Sequence, residues 1–78
     1  MNIEIYGKDN CSQCDMAIHK AQIMVQESNN TYKVLKLGKD FTREDMLEIF
    51  PGARTFPQIK VDGKNIGGWQ EFQKDYIV

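Results

Sequence analysis

The chain has 78 residues, enough for one domain with a small core. Its 10 basic and 11 acidic residues leave a net charge of −1, and the basic ones are scattered, so no nucleic-acid footprint is expected. Nothing approaches the ~20 apolar residues that span a bilayer, the start Met1-Asn2-Ile3-Glu4-Ile5 lacks a signal-peptide pattern, and two cysteines are too few for a disulfide-stapled secreted scaffold, so a cytoplasmic, reducing setting is expected.

Ile3, Ile5 and Tyr6 form a β-prone run ended by Gly7, which predicts a strand over 2–6. Cys11-Ser12-Gln13-Cys14 follows and holds the only two cysteines in the sequence. Residues 12–27 read as a helix, because Ala17, Ile18, Ala21 and Val25 recur on one face with Cys14 at its start. Ser28-Asn29-Asn30 ends it. Tyr32, Val34, Leu35 and Leu37 predict a second strand, closed by Gly38. Thr42 is the expected N-cap of a short helix, with Asp45 approximating a capping box and Phe41 and Met46 a hydrophobic staple. Met46, Leu47, Ile49 and Phe50 carry that helix to Pro51-Gly52. Segments 58–61 and 64–66 flank Asp62-Gly63, a two-residue hairpin signal. Gly67-Gly68 breaks the hairpin, and Trp69, Phe72 and Tyr76 share one face of a last helix, about 69–76.

The order β-α-β-α-β-β-α predicts an α/β fold in a single domain over 1–78. The first βαβ unit requires parallel strands and a right-handed crossover. The hairpin adds an antiparallel pair, giving a four-stranded mixed sheet flanked by three helices. Sites in such sheets lie beyond the carboxyl ends of the parallel strands. Cys11 falls there.

At helical spacing, positions i and i+3 share a face. Cα atoms roughly 5–6 Å apart suit a disulfide. Cys11 lies where the amides of Gln13 and Cys14 lack helical partners and where the positive end of the helix dipole favours a thiolate. Cys14 lies one turn in and leans toward the sheet. Cys11 is therefore the expected nucleophile and Cys14 the resolving thiol. A free thiol with pKa near 8.5 is only a few per cent ionised at pH 7, and lowering it by ~2 units makes it mostly thiolate, at some cost in nucleophilicity. Lys8 adds positive charge nearby. His19 lies two turns on, roughly 12 Å away at 1.5 Å per residue, too far to act as a base. Zinc generally takes four ligands, and His19 is the one candidate beyond the pair, so no metal site is expected.

Three segments together resemble the glutaredoxins: Lys8-x-x-Cys11-x-x-Cys14, Arg54-Thr55-x-Pro57, and Gly67-Gly68-aromatic-x-acidic, ending at Glu71. The resemblance covers nearly the whole chain. It implies a thioredoxin-like fold and a glutathione-dependent dithiol–disulfide oxidoreductase acting on protein disulfides and glutathione mixed disulfides. Glutathione would be the electron donor, with no tightly bound cofactor. Partners would be glutathione and disulfide-containing client proteins, with ribonucleotide reductase a client by family, and the protein would be a monomer. Carried over, Cys11 is the nucleophile and Cys14 the resolving cysteine. Lys8 pairs with the glycine carboxylate of glutathione. Pro57 is the family's cis-proline, although the residues alone predict a trans bond. The Phe56 backbone, beside Thr55, pairs with the cysteinyl part as an added strand would. Gly68 allows close approach, the last helix offers amides to a carboxylate, and Glu71 helps bind the γ-glutamyl end.

Departures from the family pattern concern the same groove. Ser12 and Gln13 replace the commonest Pro-Tyr; Ser12 restores an N–H beside Cys11, and the Gln13 amide can reach a carboxylate. Phe56 replaces a usual Val, Lys60 a frequent apolar residue, and Gln70 a small hydroxyl residue near the γ-glutamyl group. Arg54 reads as a structural or rim residue. Met16, Met24 and Met46 read as packing or surface residues. Two other readings stay open: a redoxin reduced by thioredoxin reductase, and a glutaredoxin that holds a [2Fe–2S] cluster between two protomers through Cys11 and two glutathiones.

Overall fold

The computed structural model describes residues 1–76, so the last two residues of the expected domain lie outside the description. Its central strand is β1 (Asn2–Gly7), because alternate side chains there bury on opposite faces: Ile3 and Ile5 toward one, Tyr6 toward the other. β2 (Thr31–Lys36) runs parallel to β1, from Asn2↔Thr31 to Gly7↔Lys36. β3 (Gln58–Val61) lies antiparallel on the other side of β1, from Ile3↔Val61 to Tyr6↔Gln58. β4 (Lys64–Gly67) pairs antiparallel with β3, giving the sheet order β2-β1-β3-β4. With α1 (Ser12–Glu27), α2 (Arg43–Ile49) and α3 (Trp69–Asp75), this is the expected four-stranded mixed sheet with three helices.

The sheet separates two apolar clusters. Ile3, Ile5, Ile59 and Val61 meet Ala17, Ala21 and Met24 of α1 and Phe72 of α3. Tyr6 meets Phe41, Met46 and Phe50 in the second cluster. There Tyr6 packs edge-on against both rings, at centroid distances of 5.3 and 4.9 Å. Burial pushes the Tyr6 phenol above its ordinary pKa, with Glu4 adding to the effect.

Local signals resolve as expected, with small shifts. Asp62 and Gly63 both take positive φ, 52° and 82°, as a tight two-residue turn requires. Thr42 and Asp45 form a reciprocal capping box, with bonds of 3.1 and 2.9 Å. α2 therefore begins at Arg43, immediately after its cap. On α1 the core face runs through Ala17, Ala21 and Met24, while Val25 is half-buried at its edge. An inward stripe at i, i+4 and i+7 drifts off position 25. β4 extends to Gly67, and α3 ends at Asp75 with Tyr76 as its C-cap. Among the described residues, no helix is long and apolar enough to cross a membrane.

Candidate active site

The carboxyl end of β1 leads into the site. Gly7 makes a close approach: a Cβ there would stand 3.1 Å from Cys14 Sγ. The following loop carries Lys8 and turns at Asn10, which has φ of 56°. Cys11 is the N-cap of α1, with extended backbone, and its sulfur accepts the Cys14 N–H at 3.2 Å. The first helical bond runs from Asp15 N–H to the Cys11 carbonyl at 3.1 Å. Cys11 and Cys14 are joined as a disulfide across a Cα–Cα distance of 5.2 Å, inside the range expected from their spacing. The two sulfurs are not equivalent. Cys14 is only 2% exposed, whereas Cys11 is half-buried.

The loop before β3 forms the second wall. The Phe56-Pro57 bond is cis, as the family resemblance implied. The Phe56 carbonyl oxygen lies 3.9 Å from Cys11 Sγ, which sets the loop beside the sulfur pair across 45 positions of sequence. The Phe56 ring takes the Lys8 ammonium over its face at 5.6 Å and packs toward Phe41 at 6.4 Å. Thr55 is exposed and Pro57 buried. Gln58 shapes the site, although its sequence pattern marks it only as a strand residue. Its buried side-chain amide donates to the Thr55 carbonyl at 2.9 Å, bridging the turn at Phe56-Pro57. Pro57 brings no N–H to this turn, so the side chain of Gln58 supplies the donor. The available signal was a polar residue at a core-facing strand position directly after a proline.

The turn from β4 into α3 is the third wall. Gly67 has φ of 110°, and a Cβ there would stand 2.6 Å from Glu71 Oε1. A Cβ on Gly68 would stand 3.2 Å from the Pro57 carbonyl oxygen, so this corner touches the proline loop. Gly68 N–H donates to Glu71 Oε1 at 2.7 Å. Glu71 thus caps its own helix, a role beyond the ligand contact expected of it. Gln70 is exposed in the first turn of α3, and Gln13 in the first turn of α1. The structure therefore brings Cys11, Cys14, Lys8, Phe56, Pro57, Gly68 and Glu71 into one chain of contacts. Gln13, Thr55 and Gln70 stand on the same three segments with their side chains in solvent.

The Glutaredoxin family model matches residues 3–66. The chain belongs to the glutaredoxin family. Glutaredoxin 3 of Escherichia coli K12 is 34% identical over 68 residues, covering 86% of this chain and 76% of that protein. The bovine protein named glutaredoxin-2, mitochondrial, is 37% identical over 71 residues, covering 85% of this chain and 41% of that protein. Among solved structures, oxidised E. coli glutaredoxin superposes with a TM-score of 0.77 at 29% identity, covering 92% of this chain and 88% of that one. The reduced form gives a TM-score of 0.74 at the same identity and coverage. With its Cys11–Cys14 pair at bonding distance, the chain is a thiol–disulfide oxidoreductase of this family.

Proposed function

We propose that the protein is a glutathione-dependent dithiol oxidoreductase in which Cys11 attacks and Cys14 resolves. The asymmetry of the two sulfurs carries this reading. Cys11 stands half-exposed at the helix start and receives the Cys14 N–H, while Cys14 is buried behind it against Gly7. In the reduced protein that N–H and the positive end of α1 stabilise a thiolate on Cys11.

With a glutathionylated client, the Cys11 thiolate attacks the glutathione sulfur. A Cys11–glutathione bond forms, the mixed disulfide breaks, and the client thiolate leaves and is protonated by solvent. A second glutathione thiolate then attacks that sulfur, releasing glutathione disulfide and the Cys11 thiolate. With a protein disulfide, Cys11 bonds to one client sulfur while the other leaves. Cys14 then attacks Cys11 Sγ, frees the client and closes the Cys11–Cys14 bond. Two glutathiones become one glutathione disulfide as they restore the dithiol.

The three walls support a place for glutathione. Lys8 and Gln13 face its glycine carboxylate, and the backbone of Phe56, with Thr55 and Pro57, pairs with its cysteinyl part. Gly68, Gln70 and Glu71 hold its γ-glutamyl end. On the family resemblance, the reading extends to a monomer in a reducing cytoplasm with ribonucleotide reductase among its clients. Deglutathionylation assays on two variants test the roles. Cys14→Ser should retain activity and Cys11→Ser should fall to background; an active Cys11→Ser would reverse the assignment. NADPH turnover should proceed through glutathione and glutathione reductase, and turnover with thioredoxin reductase alone would overturn the donor.

A further inference from the structure

We propose that the pocket behind Phe56 docks a client polypeptide, taking one apolar side chain that has carboxylates beside it in the client sequence. The inference rests on the oxidoreductase reading above and specifies which clients that site prefers. The pocket has a volume of about 300 Å³ and is lined by Leu37, Met46, Leu47 and Phe56, with Arg43 and Arg54 among its walls. That volume lies at the bottom of the range used by small-molecule sites, about 300–1,000 Å³, and suits a single side chain.

Two features select the occupant. Leu47 is 59% exposed, so a large apolar side chain stands open on the lip. A lone exposed leucine is ordinary, but this one shares a concavity with two arginines. Both arginines are exposed, and neither enters an ion pair among the described residues. Among the described residues, no ion pair joins an acid of α2 to either arginine. Asp45 is committed to the Thr42 N–H at 2.9 Å, and Glu44 and Glu48 are exposed and do not line the pocket. Positive charge around an apolar hollow complements an acidic segment with an apolar anchor.

Position then ties the pocket to catalysis. Phe56 lines the pocket, while its carbonyl oxygen lies 3.9 Å from Cys11 Sγ. An extended chain advances about 3.3 Å per residue, so a client whose cysteine sits at Cys11 reaches the pocket within a few residues.

The test uses two synthetic glutathionylated peptides that differ only in the residues two to four positions from the cysteine, Leu-Asp-Glu in one and Gly-Ser-Asn in the other. The mixed disulfide of glutathione and 2-mercaptoethanol, which carries no client residues to meet Leu47 or Arg43, is the reference substrate. Wild type should show a lower KM for the Leu-Asp-Glu peptide. Leu47→Ser should raise that KM on the order of tenfold. Arg43→Gln should raise it about two- to fivefold, and added salt should mimic that loss. Both variants should leave kcat and KM for the small mixed disulfide unchanged. Equal KM for the two peptides in wild type, or a preference that survives both variants, overturns the proposal. A change in sedimentation mass of either variant would instead assign the pocket to a second copy of this chain and also overturn it. If wild type cannot use the small mixed disulfide, the glutathione reading fails separately, and the peptide preference is then read on disulfide-linked peptides with dithiothreitol as reductant.

Discussion

Two helix starts meet at the site and are capped in opposite ways. α1 begins at Cys11, whose sulfur takes the Cys14 N–H and also faces Phe56. α3 begins after Gly68, whose own N–H goes to Glu71 Oε1 at 2.7 Å within the first turn. At α1 the atom that satisfies the helix is one of the two sulfurs of the redox pair. At α3 a carboxylate closes the turn on itself, and the glycine beside it leaves room for that carboxylate. Similar local geometry therefore serves chemistry at one end of the groove and shape at the other, and the difference lies in which side chain does the capping.

Replacing Cys11 with Asp separates capping from chemistry at α1 and should have the largest effect. Aspartate is a strong N-cap, so the unfolding midpoint should hold, while disulfide reductase activity drops to background. A large loss of stability would mean that the sulfur's role in the fold had been underestimated. At α3, Gly67→Ala meets both a positive φ and Glu71 Oε1 at 2.6 Å. It should cost about 1–3 kcal/mol in urea unfolding, and a neutral result would show that the turn is not held by the Glu71 cap. Between the two starts, Gln58→Leu strips the donor from the Thr55 carbonyl. The expected cost is about 1–3 kcal/mol, with a raised KM for glutathionylated substrate and an unchanged rate of Cys11 alkylation in the reduced protein. Slower alkylation would place Gln58 in control of the thiol as well. The smallest effect should come from Glu71. Glu71→Ala should lose about 1 kcal/mol, as removal of a cap does, whereas Glu71→Gln keeps an acceptor and most of the stability. A raised KM for glutathionylated substrate in Glu71→Gln would show that the charge also serves the ligand.

The features legible in the sequence were those set by neighbours in the chain. Asp62-Gly63 specifies its own turn, Thr42 and Asp45 cap each other, and the Ala17–Ala21 spacing defines a helix face. The dithiol was legible for the same reason, since its spacing and its place at a helix start lie within four residues. What the sequence left out depends on contacts between distant segments. Whether Met24 or Val25 turns inward is settled by how α1 packs on Ile3, Ile5, Ile59 and Phe72. The Lys8 ammonium over the Phe56 ring and the Gln58 amide on the Thr55 carbonyl exist only once the proline loop is folded against its neighbours. The motif marks Glu71 only as a ligand residue, and its bond to Gly68 N–H depends on the bend at Gly67.

The bond between Cys11 and Cys14 closes over a sequence separation of only 3. Loop-closure entropy grows with loop length, so a link this short restricts the unfolded chain far less than one tying distant parts of a domain. Opening and closing it therefore changes the balance between folded and unfolded chain comparatively little. A thiol–disulfide oxidoreductase whose cysteine pair passes between bonded and free forms gains from placing that link where the architecture does not lean on it.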